Sequence, residues 1–339
     1  MPTKRRRPWF RLAIALGLAT LLSACATGGP LDSLDPQGPI AEDIDGLFKM
    51  TLYIATGVFV LVQGALLIAI FVFRDRKGRK EPKQTHGNAK LEVVWTVIPV
   101  VILAAIAVPT VQTIFKYTDC ADDSMNIEVI GHQWWFEYQY PDHDIATANV
   151  LAIPTDTEVC LRMTSDDVVH NYWVPKLNGK RYLIPGQETL LLLEADEPAE
   201  YWGHCAEFCG LSHAVMRARV IAYDQPDFDA WVAEQVAAPV MPATGSLEAQ
   251  GLEIFLGNQC AACHNINEVN PVENPIGPDL THFATRSVFA GAVLELSVPG
   301  ELEAWLANPP EIKPGSYMPN LNLSQDEIDA LSAYLRSLE

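Results

Sequence analysis

Apolar and polar positions divide the 339-residue chain into stretches of different period. Residues 1–24 open with Lys4, Arg5, Arg6, Arg7 and Arg11, and an apolar run follows over 12–22. That is the pattern of a secretory signal. Residues 50–73 carry no formal charge, and such a run is long enough to cross about 30 Å of hydrocarbon. Residues 93–115 form a second run with Pro99 and Pro109 inside it, which membrane helices tolerate better than soluble ones. Six of the ten residues 74–83 between the runs are Lys or Arg. The positive-inside rule therefore places that loop in the cytoplasm and both outer flanks outside. The pattern predicts a two-helix transmembrane hairpin within 45–118.

After Met125 the pattern becomes short apolar stretches with turns between them. Residues 127–130 alternate like a strand, 131–140 are aromatic and β-prone, and 159–163 and 189–193 read as further strands. Pro154, Pro175, Pro185, Gly186 and Pro198 punctuate them. Many short strands predict a sandwich or barrel over 124–222. Pro226, Pro239 and Pro242 make 223–245 read as a semi-rigid linker. A helical pattern returns over 246–257. The run Ser324-Gln325-Asp326-Glu327 is a capping box opening a terminal helix with Ile328, Leu331, Leu335 and Leu338 on one face.

The chain holds 42 acidic and 23 basic residues. Removing 1–24 takes away five basic residues and leaves a formal charge of −24. Phosphate binding needs clustered Lys and Arg, so a soluble nucleic-acid role is excluded.

The densest chemistry lies at 204–216, His-Cys-Ala-Glu-Phe-Cys-Gly-Leu-Ser-His-Ala-Val-Met. Thiolate, imidazole and thioether are ligands that suit copper. Cys205 and Cys209 are spaced to bridge two metal ions, and His213 and Met216 can cap them if a second imidazole arrives from elsewhere. His170 is the candidate. The alternative is a Cys205–Cys209 disulfide beside an unrelated His and Met.

This run resembles the binuclear Cu-A site of subunit II of the haem-copper cytochrome oxidases, and the resemblance covers roughly 45–222. It implies a cupredoxin-like Greek-key β-barrel and a ligand set of Cys205, Cys209, His213, Met216, His170 and the Glu207 carbonyl. It also implies that the Glu207 side chain reaches a magnesium ion at the subunit I boundary. Trp134 matches the tryptophan through which electrons enter, exposed beside Cu-A. A sheet-face aromatic is the alternative reading, better suited to Trp135. Residues 85–99 resemble the family closely, and there Glu92 matches a glutamate at the mouth of a proton channel; an interfacial carboxylate reaching for water is the other reading. The segment Leu22-Ser23-Ala24-Cys25 resembles a bacterial lipobox, implying cleavage before Cys25 and a lipid on its sulfur; an ordinary signal peptide is the alternative. Phe136 stands where many relatives have Trp. Tyr182-Leu183-Ile184-Pro185-Gly186-Gln187 stands where many have Asp-Ala-Ile-Pro-Gly-Arg, which bears on contacts to subunit I.

Cys260-Ala261-Ala262-Cys263-His264 is the attachment motif of c-type haem. Met318, on the irregular stretch 314–321, is the natural distal ligand, and His/Met ligation raises the haem potential. Residues 246–339 resemble a small His–Met cytochrome c: Gly251 with Phe255, and Leu331 with Tyr334, match its crossing of terminal helices, and 277–282 match its haem-wall loop. With one lipid site, two copper thiols and two haem thiols assigned, Cys120 and Cys160 are left over. They either pair in an oxidising compartment or remain separate thiols, and the sequence leaves both open.

The architecture expected is thus a multidomain chain: membrane hairpin, cupredoxin-like barrel, and all-α cytochrome c domain. The resemblance implies an electron-transfer subunit of a bacterial inner-membrane cytochrome-c oxidase. It would pass electrons from a periplasmic donor through haem c and Cu-A to subunit I, beside subunit III, for O2 reduction coupled to proton pumping. No catalytic acid, base or nucleophile is required of this chain. The domain 246–339 holds 13 acidic and 3 basic residues, so the donor is expected to present a positive or neutral face. A Cu-A-bearing nitric oxide reductase subunit, and a copper-delivery or thiol-redox protein, are the alternatives.

Overall fold

The computed structural model describes residues 16–17, 28–74, 84, 86–272 and 275–339. Cys25 and the loop 75–83 lie outside the described residues. Two long helices come first, α1 (Pro39–Val72) and α2 (Ala89–Lys116). Their apolar side chains, Leu61 and Leu103 among them, face outward rather than into a core, as membrane spans do. Asn88 caps α2 by accepting from the Leu91 N–H. Helix α1 begins well before the apolar run at Met50. Its first turn is buried: Ile40 packs with Leu192 and Cys160 of the next domain.

That domain is a cupredoxin-like β-barrel of two five-stranded sheets. One sheet has the order β3 (Ile145–Ala148), β2 (Trp135–Tyr140), β1 (Met125–His132), β5 (Val159–Ser165), β8 (Thr189–Leu193). The other has β4 (Val150–Pro154), β10 (Arg217–Tyr223), β9 (Ala199–Cys205), β6 (His170–Trp173), β7 (Lys180–Leu183). Period-two alternation decides which faces meet: Ile127 and Val129 of β1 point inward while Glu128 points out. Phe136, Tyr138, Leu161 and Tyr172 fill the space between the sheets, each contributing about 1.5–3 kcal/mol on burial. Cys120 and Cys160 are joined as a disulfide, with a Cα–Cα distance of 5.8 Å. It ties the outer end of α2 to β5.

The stretch 223–245, expected to be a linker, opens instead with helix α3 (Gln225–Gln235). Asp224 caps it and Pro226 occupies its first turn, where proline starts a helix rather than breaking one. Phe228 is buried and Trp231 packs on Tyr140, so α3 is part of the barrel's outer layer.

The C-terminal domain is helical. Helix α4 (Leu247–Gly257), capped by Ser246, crosses α7 (Gln325–Arg336), capped by the Ser324–Glu327 box. The crossing is close because Gly251 has no side chain: a Cβ there would overlap the Ala330 carbonyl and lie 2.6 Å from Tyr334 Cβ. Between them lie a two-stranded ribbon, β11 (Val288–Phe289) with β12 (Leu294–Glu295), and the short helices α5 (Glu301–Ala307) and α6 (Pro309–Ile312).

Candidate metal centre and haem crevice

Strand β9 delivers Cys205 and β10 begins just after Met216, so the intervening loop must fold back over the barrel's end. Antiparallel pairing of β6 with β9 sets Tyr172 opposite Cys205 and brings His170 beside it. The six groups expected to bind copper converge. The two sulfurs are 3.7 Å apart, so the thiols are free and unbridged. His170 Nδ1 lies 4.0 Å from Cys205 Sγ, His213 Nδ1 3.5 Å and Met216 Sδ 3.8 Å from Cys209 Sγ, and the Glu207 carbonyl oxygen 3.2 Å from Cys205 Sγ. Thiol, imidazole and thioether donors gathered without water-exposed carboxylates fit a soft metal such as copper. A hydrogen bond from the Cys209 thiol and another from His170 hold the Cys205 thiol well below its usual value, against its burial. Cys209 is pushed up by the Cys205 sulfur beside it and by burial. A metal bound here would displace the remaining thiol proton, since thiols ligate as thiolates.

Asp167, given no role by sequence reasoning, orients His170. The His170 Nε2–H donates to Asp167 Oδ1 at 2.8 Å, which leaves Nδ1 facing Cys205. Burial pulls the His170 pKa down, but Asp167 and Cys205 together raise it above the usual value. Asp167 is itself held low, against burial, by hydrogen bonds from His170, the Val168 N–H and the Gln133 N–H. Gly131 gives the ring room: a Cβ there would come within 2.8 Å of His170 Cδ2.

The haem motif follows α4. Cys260 stands in a 3-10 turn over Gln259–Ala262, with Cys263 and His264 next. His264 Nδ1–H donates to the Pro278 carbonyl at 2.8 Å, and burial lowers its pKa, so the ring is neutral with Nε2 free to ligate. A Cβ on Gly277 would meet the His264 ring at 2.6 Å. Asn270 fixes the motif by donating to the carbonyls of Ala261 and His264. Cys260, Cys263, His264 and Met318 line one cavity of about 380 Å³. The buried Arg286 guanidinium lines it too, with Nε and Nη2 unpartnered among the described residues. A largely apolar cavity with two thiols, an imidazole, a thioether and a spare cation fits a haem with acidic substituents.

The two sites adjoin. Gln133 and Trp134 of the barrel line the same cavity. Trp134, expected to be exposed beside Cu-A, is only 5% exposed. The cytochrome domain covers it, and Gly315 lies against its ring. Its indole N–H donates to the Cys209 carbonyl at 2.9 Å, and the Gln133 amide donates to the same oxygen at 2.7 Å. Trp135 belongs to β2 and stacks on His132 at 4.3 Å. Glu207 lies beside the Tyr182 hydroxyl on the barrel's surface. Glu92 is exposed in the first turn of α2.

Family-level sequence profiles match three segments: the transmembrane domain of cytochrome C oxidase subunit II over 31–113, its periplasmic domain over 144–222, and cytochrome c over 248–339. The cytochrome c oxidase subunit 2 of Alkalihalophilus pseudofirmus is 37% identical over 330 residues, 95% of each chain. That of Bacillus subtilis is 32% identical, covering 97% of this chain and 98% of its own. The periplasmic domain of subunit II of cytochrome oxidase from Bradyrhizobium japonicum aligns at 25% identity and a TM-score of 0.33, over 35% of this chain and 96% of that domain. With likeness running nearly end to end, and with the copper and cytochrome domains both present, the chain belongs to the cytochrome c oxidase subunit II family, in the form that carries a C-terminal cytochrome c domain.

Proposed function

We propose that this chain is the electron-accepting subunit of a respiratory oxidase in a bacterial inner membrane. Electrons from a periplasmic donor enter at the haem crevice, cross past Trp134 to the copper loop, and leave to subunit I. O2 is reduced to water there, coupled to proton pumping. When bound, haem c and a binuclear copper centre supply the two one-electron carriers.

The observation that carries this reading is the placement of Trp134. It lines the cavity that holds His264 and Met318, and its indole donates to the Cys209 carbonyl. Within the reading, Cys260 and Cys263 would hold the haem covalently and His264 and Met318 would ligate its iron. Cys205, Cys209, His170, His213, Met216 and the Glu207 carbonyl would hold the copper. The Glu207 carboxylate takes a magnesium ion at the subunit I boundary, Glu92 serves the mouth of a proton channel, and Cys25 carries a lipid. Subunit III completes the membrane complex.

The donor docks on the cytochrome domain, because the surface beside Trp134 is already covered. Of that domain's three cations, Arg286 and Lys313 are buried, and Arg336 lies 3.7 Å from Glu303. The outward face is therefore acidic, and a positive or neutral donor face suits it.

Rapid mixing of the intact oxidised complex with its reduced donor tests the reading. Haem c absorbance should change before the copper near-infrared band bleaches. Copper reduction ahead of haem c would overturn the proposed order. With a positive donor the second-order rate should fall as salt screens the field over about 8–10 Å.

A further inference from the structure

Lys313 follows α6 on the way to Met318, and it is 5% exposed. Its amine donates to two carbonyl oxygens from different domains: that of Trp134 in the barrel, and that of Ala290 in the cytochrome domain at 3.0 Å. Among the described residues no carboxylate pairs with it. Burying an ammonium with no carboxylate beside it is costly, and burial pulls the Lys313 pKa down to about 7 although the nearby Cys209 sulfur raises it. A methionine would fill the same space without that cost, so packing alone does not account for the residue.

What the amine holds is informative. The Trp134 peptide carbonyl is tied to Lys313 while the Trp134 indole is tied to Cys209. One hydrogen-bonded line thus runs from the cytochrome domain, through Trp134, to the copper loop. The surroundings are cut to fit it. Gly291 has a φ of +79°, and a Cβ there would overlap the Lys313 amine and lie 2.7 Å from the Trp134 carbonyl. The Gly291 carbonyl accepts from the Arg217 N–H at 2.9 Å, joining the same loop to the start of β10. Ser212 of the copper loop donates to the Pro314 carbonyl at 2.7 Å.

We propose that Lys313 is a positioning residue for electron passage between the two sites: its buried amine pins the Trp134 backbone to the cytochrome domain and sets the register in which the domains meet. The proposal rests on the relay reading given above. Lys313 touches neither carrier, so its effect is exerted through Trp134.

The test uses the intact complex with Lys313→Met, which keeps the length and removes the charge, and Lys313→Gln, which keeps a shorter neutral donor. Two quantities are read: the haem c to copper transfer rate after photo-injection of an electron into haem c, and amide exchange over 131–135 and 215–217. Loss of a hydrogen bond from a charged donor corresponds to about a 10- to 150-fold change in the equilibrium it supports. In Lys313→Met the exchange should therefore rise by about tenfold or more, and the transfer rate should fall with it. Lys313→Gln should fall between it and wild type, and the KM for the external donor should stay unchanged. Wild-type exchange or a wild-type transfer rate in Lys313→Met overturns the proposal. So does loss of haem or copper from both variants, which would make Lys313 a folding residue. Should the wild-type complex itself pass no electron from haem c to copper, the relay reading fails instead, and the two failures are distinguishable.

Discussion

Asp167→Ala isolates the residue that sets the ring of His170. The Asp167 carboxylate accepts from His170 Nε2 at 2.8 Å, from the Val168 and Gln133 N–H groups at 2.6 Å each, and at 3.4 Å from the Ser165 hydroxyl. An alanine removes both carboxylate oxygens, so the His170 contact is lost with the others. Losing a hydrogen bond to a charged group costs about 1.5–3 kcal/mol. Independently, removing the group that orients a metal-bound histidine lowers affinity about 10–100-fold, or about 1.4–2.7 kcal/mol. The two ranges agree, and copper affinity should fall by about 30-fold. The assay is chelator competition on the assembled complex, followed through the copper near-infrared band with the haem c band as internal reference. Asp166→Asn is the control: its side chain is 65% exposed and 3.8 Å from His132 Nδ1, and an exposed pair of this kind changes affinity by about twofold at most. Affinity in Asp167→Ala within about threefold of wild type, or an equal loss in Asp166→Asn, would refute the orienting role.

Three further outcomes are expected. In Gly251→Ala the new Cβ overlaps a backbone carbonyl that cannot turn aside, so overpacking at the upper end of about 1–3 kcal/mol exceeds the helix-propensity gain of about 0.5–1 kcal/mol by about 1–2 kcal/mol, and the cytochrome domain should melt about 5–15 °C lower; an unchanged melting temperature would mean α4 and α7 can separate freely. Met318→Leu should leave the haem attached, remove the Met–iron charge-transfer band and lower the reduction potential; an intact band would point to another distal ligand. Paired Cys120→Ser and Cys160→Ser changes open a loop whose ends are 40 residues apart, worth about 4 kcal/mol, and should sensitise the copper domain to denaturant without altering the copper band; unchanged sensitivity would mean that α2 and β5 need no covalent tie.

Legibility followed chemistry. The thiol pair, His213 and Met216 sit within one loop, and Cys-x-x-C-His is contiguous, so ligand spacing alone gathers them. The disulfide left open by the sequence is formed because α2 ends where β5 begins its run, a fact of tertiary placement. Asp167 escaped notice because its role needs the β6 register before it can be assigned. Lys313 was invisible for a stronger reason: it reaches a main-chain carbonyl 179 positions away, and a carbonyl leaves no mark in the residue pattern. The burial of Trp134 has the same origin, since nothing local to 133–135 tells of a second domain lying across it. Helix α3 escapes the sequence reading because Pro226 reads as a linker proline, when with Asp224 as its cap it marks a helix start.

The length of α1 has a mechanical consequence. Its 34 residues extend about 50 Å at 1.5 Å per residue, whereas the hydrocarbon takes up about 30 Å. Some 20 Å of unbroken helix therefore stands clear of the apolar layer. Its tip is keyed into the barrel through Ile40, which lies under Leu192 beside the Cys120–Cys160 tie. The copper domain is thus mounted on a stiff post and does not hang from a tether. The post sets both the height of the metal loop above the lipid surface and the direction in which it looks. Deleting one residue from the post would lower the domain by about 1.5 Å and swing it by about 100° around the post's axis. In such a mounting, altitude and azimuth cannot be altered separately.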